Sequence, residues 1–172
     1  DAMGLQCHVG GWMTARDQVA FYDEMAGADL PIHITEFWAS TKTLEEKGQI
    51  PPDEIAAIQA DYIENYLTCA FGHPAVEAFF FWGFMNTAVR WGEHSSHELT
   101  PLYHRVRDLL NNRWMTREPL LTDCDGVIRF RGFYGDYALR YALPSGMISS
   151  ARFAVNKEGT MPLNIIVPLS QN

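Results

Sequence analysis

The sequence predicts an α/β fold: consecutive βα units forming a parallel sheet, followed by a small antiparallel β segment. Three observations predict it. Strand-like apolar runs alternate with amphipathic helices over the first two thirds of the chain, the grammar of parallel strands joined by helical crossovers. One run, Val76 to Phe84, is apolar almost throughout, which predicts a strand buried on both faces. After Trp114 the pattern turns to short alternating runs between turn signals, as in antiparallel strands. The expected division is an α/β part over 1–117 and a β extension over 118–172.

Each element has its own signal. Gly4 to Val9 is a first short strand, ended by Gly10-Gly11. Thr14 opens a helix, with Asp17 at the capping-box spacing and apolar residues at Val19, Tyr22 and Met25. Pro31 starts a second strand, Ile32 to Phe37, rich in β-branched and aromatic residues. Ser40 to Gln49 is a polar loop. Pro51-Pro52-Asp53-Glu54 is a strong helix start. A stripe from Ile55 through Ile58, Ile63, Tyr66 and Leu67 to Ala70 follows, with Gln59 as its polar interruption. Gly72-His73-Pro74 stops that helix before the apolar run from Val76. Met85 to Glu98 reads as a functional loop, and Thr100-Pro101 caps a third helix through Leu102, Val106, Leu109 and Leu110. In the tail, Asp123-Cys124-Asp125-Gly126 signals a turn. Val127 to Phe133, Asp136 to Leu143, Met147 to Val155 and Leu163 to Leu169 are expected strands.

Composition narrows the function. The chain has 172 residues, 47% of them hydrophobic, enough for one sizeable core. Its formal net charge of −8 argues against a nucleic-acid partner. No apolar run is long enough to predict a membrane span. Cys7, Cys69 and Cys124 lie too far apart for a zinc pattern, and an odd count leaves at least one thiol free. The chain is in strand-like sequence almost from Asp1, so further sequence upstream is expected.

Glu36 is the residue to explain. A carboxylate inside an apolar strand is costly unless it is paired or put to use, and in parallel α/β folds reacting groups gather at the C-terminal ends of strands. Gln6 and His8 end the first strand in the same way, and Trp82 ends the third. His94 and His97 have a ligand-like spacing, but a solvated loop accounts for them, and no metal site is expected. Asp123-x-Asp125-Gly126 lacks the remaining ligands of a calcium loop and fits a turn.

Gly4-Leu5-Gln6-Cys7-His8, Ile34-Thr35-Glu36 and Trp82-Gly83, with Trp91 in the loop beyond, together resemble the C-terminal part of the catalytic barrel of glycoside hydrolase family 10, the xylanases. Thr122-Asp123 and the run Phe130 to Tyr137 are similar to a β extension that follows the barrel in some members. Two positions differ from the family pattern. Trp38 stands where an Asp often supports the histidine, and Asn86 lies near a position that is commonly acidic.

The resemblance implies a portion of a (β/α)8 TIM barrel, from its sixth strand to its eighth helix, followed by the β extension. It implies part of a retaining endo-β-1,4-xylanase-like enzyme. Glu36 would be the nucleophile, His8 its support, and Gln6, Trp38, Trp82 and Trp91 would contact sugar. Such chemistry needs no cofactor but needs a second carboxyl as acid/base. In the family that glutamate lies on the fourth strand, so this chain alone is expected to be inactive. The implied partners are a polysaccharide or oligosaccharide and either the upstream half of the barrel or a second chain. Exposed barrel edges would also allow a homo-oligomer. Secretion or a periplasmic location follows from the resemblance alone. The alternative is a non-catalytic carbohydrate-binding or assembly module.

Overall fold

The computed structural model describes residues 1–9, 12–83, 87–91, 97–143 and 145–156. Gly10-Gly11, Phe84, Asn86, Glu93, His94, the side chain of Trp91 and the expected strand Leu163 to Leu169 lie outside the described residues. The chain divides into two compact units, Asp1–Leu110 and Asn111–Asn172.

The first unit is built on a parallel sheet. Its first strand comes in two pieces, β1 (Met3–Leu5) and β2 (His8–Val9). Both pair in parallel with β3 (Ile32–Ala39), and β4 (Val76–Phe81) pairs in parallel with the other side of β3. The sheet is therefore open, with β3 between two edges among the described residues. The single strand expected over Gly4 to Val9 is interrupted because Cys7 takes a left-handed conformation, φ 55°.

Helix α1 (Ala15–Ala26) is capped by Thr14, whose hydroxyl oxygen accepts from the Asp17 N–H at 3.2 Å. Its buried face keeps Tyr22 of the expected apolar residues but not Val19, which is exposed, and adds Gln18, only 2% exposed. Gln18 is tolerated there because its Nε2 donates to the Tyr22 hydroxyl at 3.0 Å and to the Tyr66 carbonyl at 2.8 Å. The expected polar loop after β3 contains a short helix, α2 (Lys42–Glu46). Helix α3 (Pro52–Gly72) buries Ile55, Ile63, Tyr66, Leu67 and Ala70. Gln59, the interruption of that stripe, donates from Nε2 to the Ala39 carbonyl at 2.7 Å and so ties the end of β3 to α3.

The strand beginning at Val76 is half-buried on one side and exposed on the other. Phe80 is 57% exposed, because β4 is an edge strand whose second face carries no helix among the described residues. Within the functional loop expected at Met85 to Glu98, β5 (Val89–Trp91) pairs antiparallel with β6 (His97–Leu99). Thr100 precedes α4 (Pro101–Asp108) without a side-chain capping bond. Its hydroxyl turns back to the Thr87 and Ala88 carbonyls, at 2.8 and 3.1 Å. A π-helical turn, Leu109–Arg113, continues α4.

The core of this unit is an aromatic cluster on β3. Phe37 lies 4.3 Å from the Tyr66 ring, 5.1 Å from Phe79 and 5.9 Å from Phe81, centroid to centroid. Arg105 on α4 pairs with Asp61 and Glu64 of α3 and joins the two helices at the surface. None of the described helices is long and apolar enough to cross a membrane.

In the second unit, β7 (Gly135–Ala142) and β8 (Ile148–Val155) form an antiparallel hairpin. The strand expected over Val127 to Phe133 is not formed. Asp123 organises the preceding turn instead: its Oδ1 accepts from the Asp125 and Val127 N–H groups at 3.0 and 2.8 Å. With Gly126 at φ 75°, the Asp-x-Asp-Gly run is a turn held by its own first side chain. Tyr137 stacks on its cross-strand partner Phe153, at 5.3 Å and 16°. The Tyr137 hydroxyl donates to the Phe133 carbonyl at 2.7 Å, directly over Gly132, where a Cβ would collide with it.

Two stability changes follow. Truncating Phe37 to Ala removes the centre of the ring cluster and should cost about 3–5 kcal/mol in urea unfolding. Gly132→Ala should destabilise the second unit by about 1–3 kcal/mol, read as faster amide exchange in β7 and β8 with α3 unchanged.

Candidate active site

The alternation of β3 slips once, and the slip places Glu36. Ile32, Ile34, Phe37 and Ala39 are all buried, a spacing of two, three and two. Against β4, the four residues of β3 from Ile34 to Phe37 oppose three, from Phe79 to Phe81. Against the first strand, the five residues from Ile34 to Trp38 oppose four, from Leu5 to His8. Both neighbours thus register one extra residue in β3 around Thr35-Glu36, a β-bulge. Strict alternation from Ile34 would aim Glu36 into the core. The bulge gives that direction to Phe37 and leaves the glutamate free to meet the first strand.

There it meets His8. The Nε2 atom of His8 lies 3.1 Å from Oε2 of Glu36, and the two side chains are 42% and 32% exposed. His8 stands opposite Trp38 in the parallel register, 6.1 Å from the Trp82 ring, centroid to centroid, at 46°. Trp82 is 57% exposed. Its backbone N–H donates to the Phe37 carbonyl at 2.9 Å, which fixes the end of β4 beside the bulge. Gly83 follows at φ 69°, a conformation that suits glycine, so the Trp-Gly pair is a backbone requirement as well as a motif.

His8, Trp38, Trp82 and Gly83 line an open recess of about 250 Å³. A second recess, of about 190 Å³, lies on Trp38, Thr41, Glu45, Gln59 and Arg90, so Trp38 is a wall of both. The structure therefore brings His8, Glu36, Trp38 and Trp82 together. Gln6 is exposed in the turn between β1 and β2 and does not line either recess. The backbone of Trp91 pairs with His97 in the β5–β6 hairpin.

Beneath the first strand lies a layer of neutral hydroxyls and a thiol. Burial pushes the Tyr22 hydroxyl up to about 12, and raises Tyr66, Tyr62 and the Cys7 thiol above their ordinary values. None of these groups supplies a charge to the site near neutral pH. Trp12 stacks on Tyr62 at 4.6 Å and donates from its indole N–H to the Ser40 carbonyl at 3.2 Å, closing the region behind β3.

Among the described residues no group of three His, Cys, Asp or Glu side chains is placed to hold a metal ion. The recess offers indole faces and an imidazole, and that imidazole is bonded to the Glu36 carboxylate. Those groups suit a sugar ring: apolar faces to stack on, and a carboxylate at the edge to act as nucleophile or acceptor. The bulge, the left-handed Cys7 and the role of Gly83 are not foreseen from the motifs. The two-three-two spacing of Ile32, Ile34, Phe37 and Ala39 is the one signal in the sequence that carries the bulge.

The model of glycosyl hydrolase family 10 matches residues 1–107. The anti-sigma-I factor RsgI6 of Acetivibrio thermocellus is 33% identical over 150 residues, covering 84% of this chain and 18% of the relative. Endo-1,4-beta-xylanase 3 of Arabidopsis thaliana is 28% identical over 120 residues, 66% of this chain and 15% of the relative. Endo-1,4-beta-xylanase 2 of the same plant is 26% identical over 152 residues, 86% of this chain and 13% of the relative. The chain thus spans less than a fifth of the length of these relatives. With the motifs, the parallel strands and the family match converging on its first 107 residues, the chain belongs to glycosyl hydrolase family 10.

Proposed function

We propose that this chain carries one half of the catalytic centre of a retaining, xylanase-like glycoside hydrolase acting on β-1,4-linked plant polysaccharide. The observation that carries the reading is the His8–Glu36 pair, 3.1 Å apart at adjoining strand ends, with the exposed Trp82 face beside it. Glu36 acts as the nucleophile on the anomeric carbon. His8 holds the carboxylate in place by a hydrogen bond. Trp82 and Trp38 offer faces to the sugar rings, and Gln6 and Trp91 reach further sugar units along the chain.

Retaining hydrolysis takes two carboxyl groups about 5–5.5 Å apart. The first attacks to form a glycosyl-enzyme. The second protonates the leaving oxygen and then draws a proton from the attacking water. Glu36 fills the first role, and none of the described residues lining the recess beside it, His8, Trp38, Trp82 and Gly83, supplies a second carboxylate. On this reading the open sheet is the portion of a (β/α)8 barrel from its sixth strand to its eighth helix, over 1–117, with 118–172 as a β extension. The acid/base comes from the upstream half of the barrel or a second chain, and the chain alone turns over no substrate. The open edges of β1 and β4 are where that half, or another copy, would pair. Secretion or a periplasmic location fits a polysaccharide substrate.

A second reading is favoured by one observation, the 33% identity to a protein named as an anti-sigma-I factor. There the same recess would bind polysaccharide as a signal in a regulatory protein, with little or no turnover.

Two measurements on the complete protein separate the readings. Glu36→Gln should lower hydrolysis of xylo-oligosaccharides by about a thousandfold or more, with product of retained configuration in the wild type. Intact turnover in that variant would sink the nucleophile assignment. Binding without turnover in the wild type would favour the regulatory reading. Trp82→Ala should leave stability within about 0.5 kcal/mol. It should raise KM about tenfold, the equivalent of roughly 1.4 kcal/mol of lost stacking. A large loss of stability with unchanged KM would make Trp82 a packing residue.

A further inference from the structure

We propose that the second recess at Trp38 holds a neutral sugar unit branching from the polysaccharide backbone that lies over Trp82. The inference rests on the proposed glycosidase reading and deepens it. It assigns Arg90 and Glu45 as the residues that tell a branched substrate from a plain one.

This recess measures about 190 Å³ and shares its Trp38 wall with the recess of His8 and Trp82. Four elements of the first unit build it: Trp38 stands on β3, Glu45 on α2, Gln59 on α3 and Arg90 on β5. Helix α2 has no buried residue, so it adds little to the core. What it supplies is a wall. Thr41, just before it, donates its hydroxyl to Oε1 of Glu45 at 2.5 Å and steadies that carboxylate.

The chemistry of the lining suits a sugar. Trp38 supplies an apolar face. Arg90 is a fork of N–H donors and Glu45 a pair of acceptor oxygens, and each planar group can span two neighbouring hydroxyls. Both have capacity to spare. Among the described residues the Arg90 side chain makes no hydrogen bond or ion pair, and Oε2 of Glu45 takes none. Gln59 spends its Nε2 on the Ala39 carbonyl, which leaves its Oε1 as a further acceptor. Two side chains of opposite charge thus line one recess without closing on each other, and a ligand that both donates and accepts would bridge them.

The unit is neutral because the charges of the lining cancel. A carboxylate or phosphate drawn to Arg90 would share the recess with the Glu45 carboxylate, and like charges brought together are repelled. A unit with hydroxyls alone meets both groups: its oxygens accept from the guanidinium, and its O–H groups donate to the carboxylate. It is a branch rather than a free sugar because the recess adjoins the backbone site across one side chain. A small open recess holds a free monosaccharide weakly, whereas a unit tethered to a backbone already bound at Trp82 arrives at high effective concentration.

Titration calorimetry on the complete protein tests this, in the Glu36→Gln background that keeps the ligands intact. The probes are xylotetraose and the same chain carrying one arabinosyl or one glucuronyl unit on an internal xylose. The arabinosyl ligand should bind about tenfold tighter than xylotetraose. In Arg90→Gln and in Glu45→Gln that ratio should fall to about twofold or less. Both side chains are exposed, so neither change should disturb folding. Equal affinity for the branched and plain ligands overturns the inference, as does a ratio that survives in both variants because the two affinities fall in parallel. Tighter binding of the glucuronyl ligand than of the arabinosyl one overturns the neutral assignment. Should Glu36→Gln still turn the ligands over, the nucleophile assignment falls, and the ratio of kcat/KM for the two substrates then reads the same recess.

Discussion

One extra residue in β3 governs the rest of this structure. A strand between two parallel neighbours and a layer of helices must send every second side chain into the core. Ile32 and Ile34 obey, and the next place would fall to Glu36. An ionised carboxylate there, without partners, would cost several kcal/mol or give up its charge. The bulge at Thr35-Glu36 gives Phe37 the core position, where three aromatic rings receive it. The Phe37 carbonyl then takes the Trp82 backbone N–H, so the same irregularity that frees the glutamate also fixes the tryptophan beside it.

The first strand answers the bulge with an irregularity of its own. Because β3 advances four residues while β1 and β2 advance three, the two strands stay paired at both ends only if the first one bends between them. Cys7 absorbs that mismatch at positive φ. His8 therefore arrives at the carboxylate as the geometric complement of the bulge. Gln59 closes the other end by holding the Ala39 carbonyl, so β3 is anchored to α3 just beyond Glu36 and Trp38.

Much of this was legible in the sequence, and the parts that were not share a cause. The strands at Ile32 and Val76 and the three amphipathic helices follow from hydrophobic periodicity. The Thr14 cap follows from its spacing to Asp17. Gln6, His8, Glu36 and Trp82 stood out as polar or large residues at strand ends. What periodicity misses is any residue whose role is set by a partner distant in the chain. Gln59 reads as an interruption of an apolar stripe and Gln18 carries no signal in the sequence, yet each satisfies a backbone carbonyl, 20 and 48 residues away. The loss of the expected strand at Val127 to Phe133 is similar: Asp123 captures two backbone N–H groups that would otherwise begin a ladder. Val76 to Phe84 was expected to be buried on both faces because its composition is that of a central strand; Phe80 is exposed because β4 is an edge here.

The energetic character of the His8–Glu36 contact bears on what it is for. The side chains are 42% and 32% open to solvent, and pairs so exposed contribute about 0–1 kcal/mol to folding. The arrangement that creates the contact is not free: a left-handed Cys7 costs of order 1–3 kcal/mol, and the bulge forgoes ladder hydrogen bonds in the central strand. A structure selected for stability alone would straighten both strands and place an apolar residue at position 36. Departures from local rules that cluster at one point, with little return in folding energy, are the pattern expected where a fold serves chemistry. Here the departures meet within 3.1 Å, at strand ends beside an exposed indole, in a family defined by hydrolysis of glycosidic bonds.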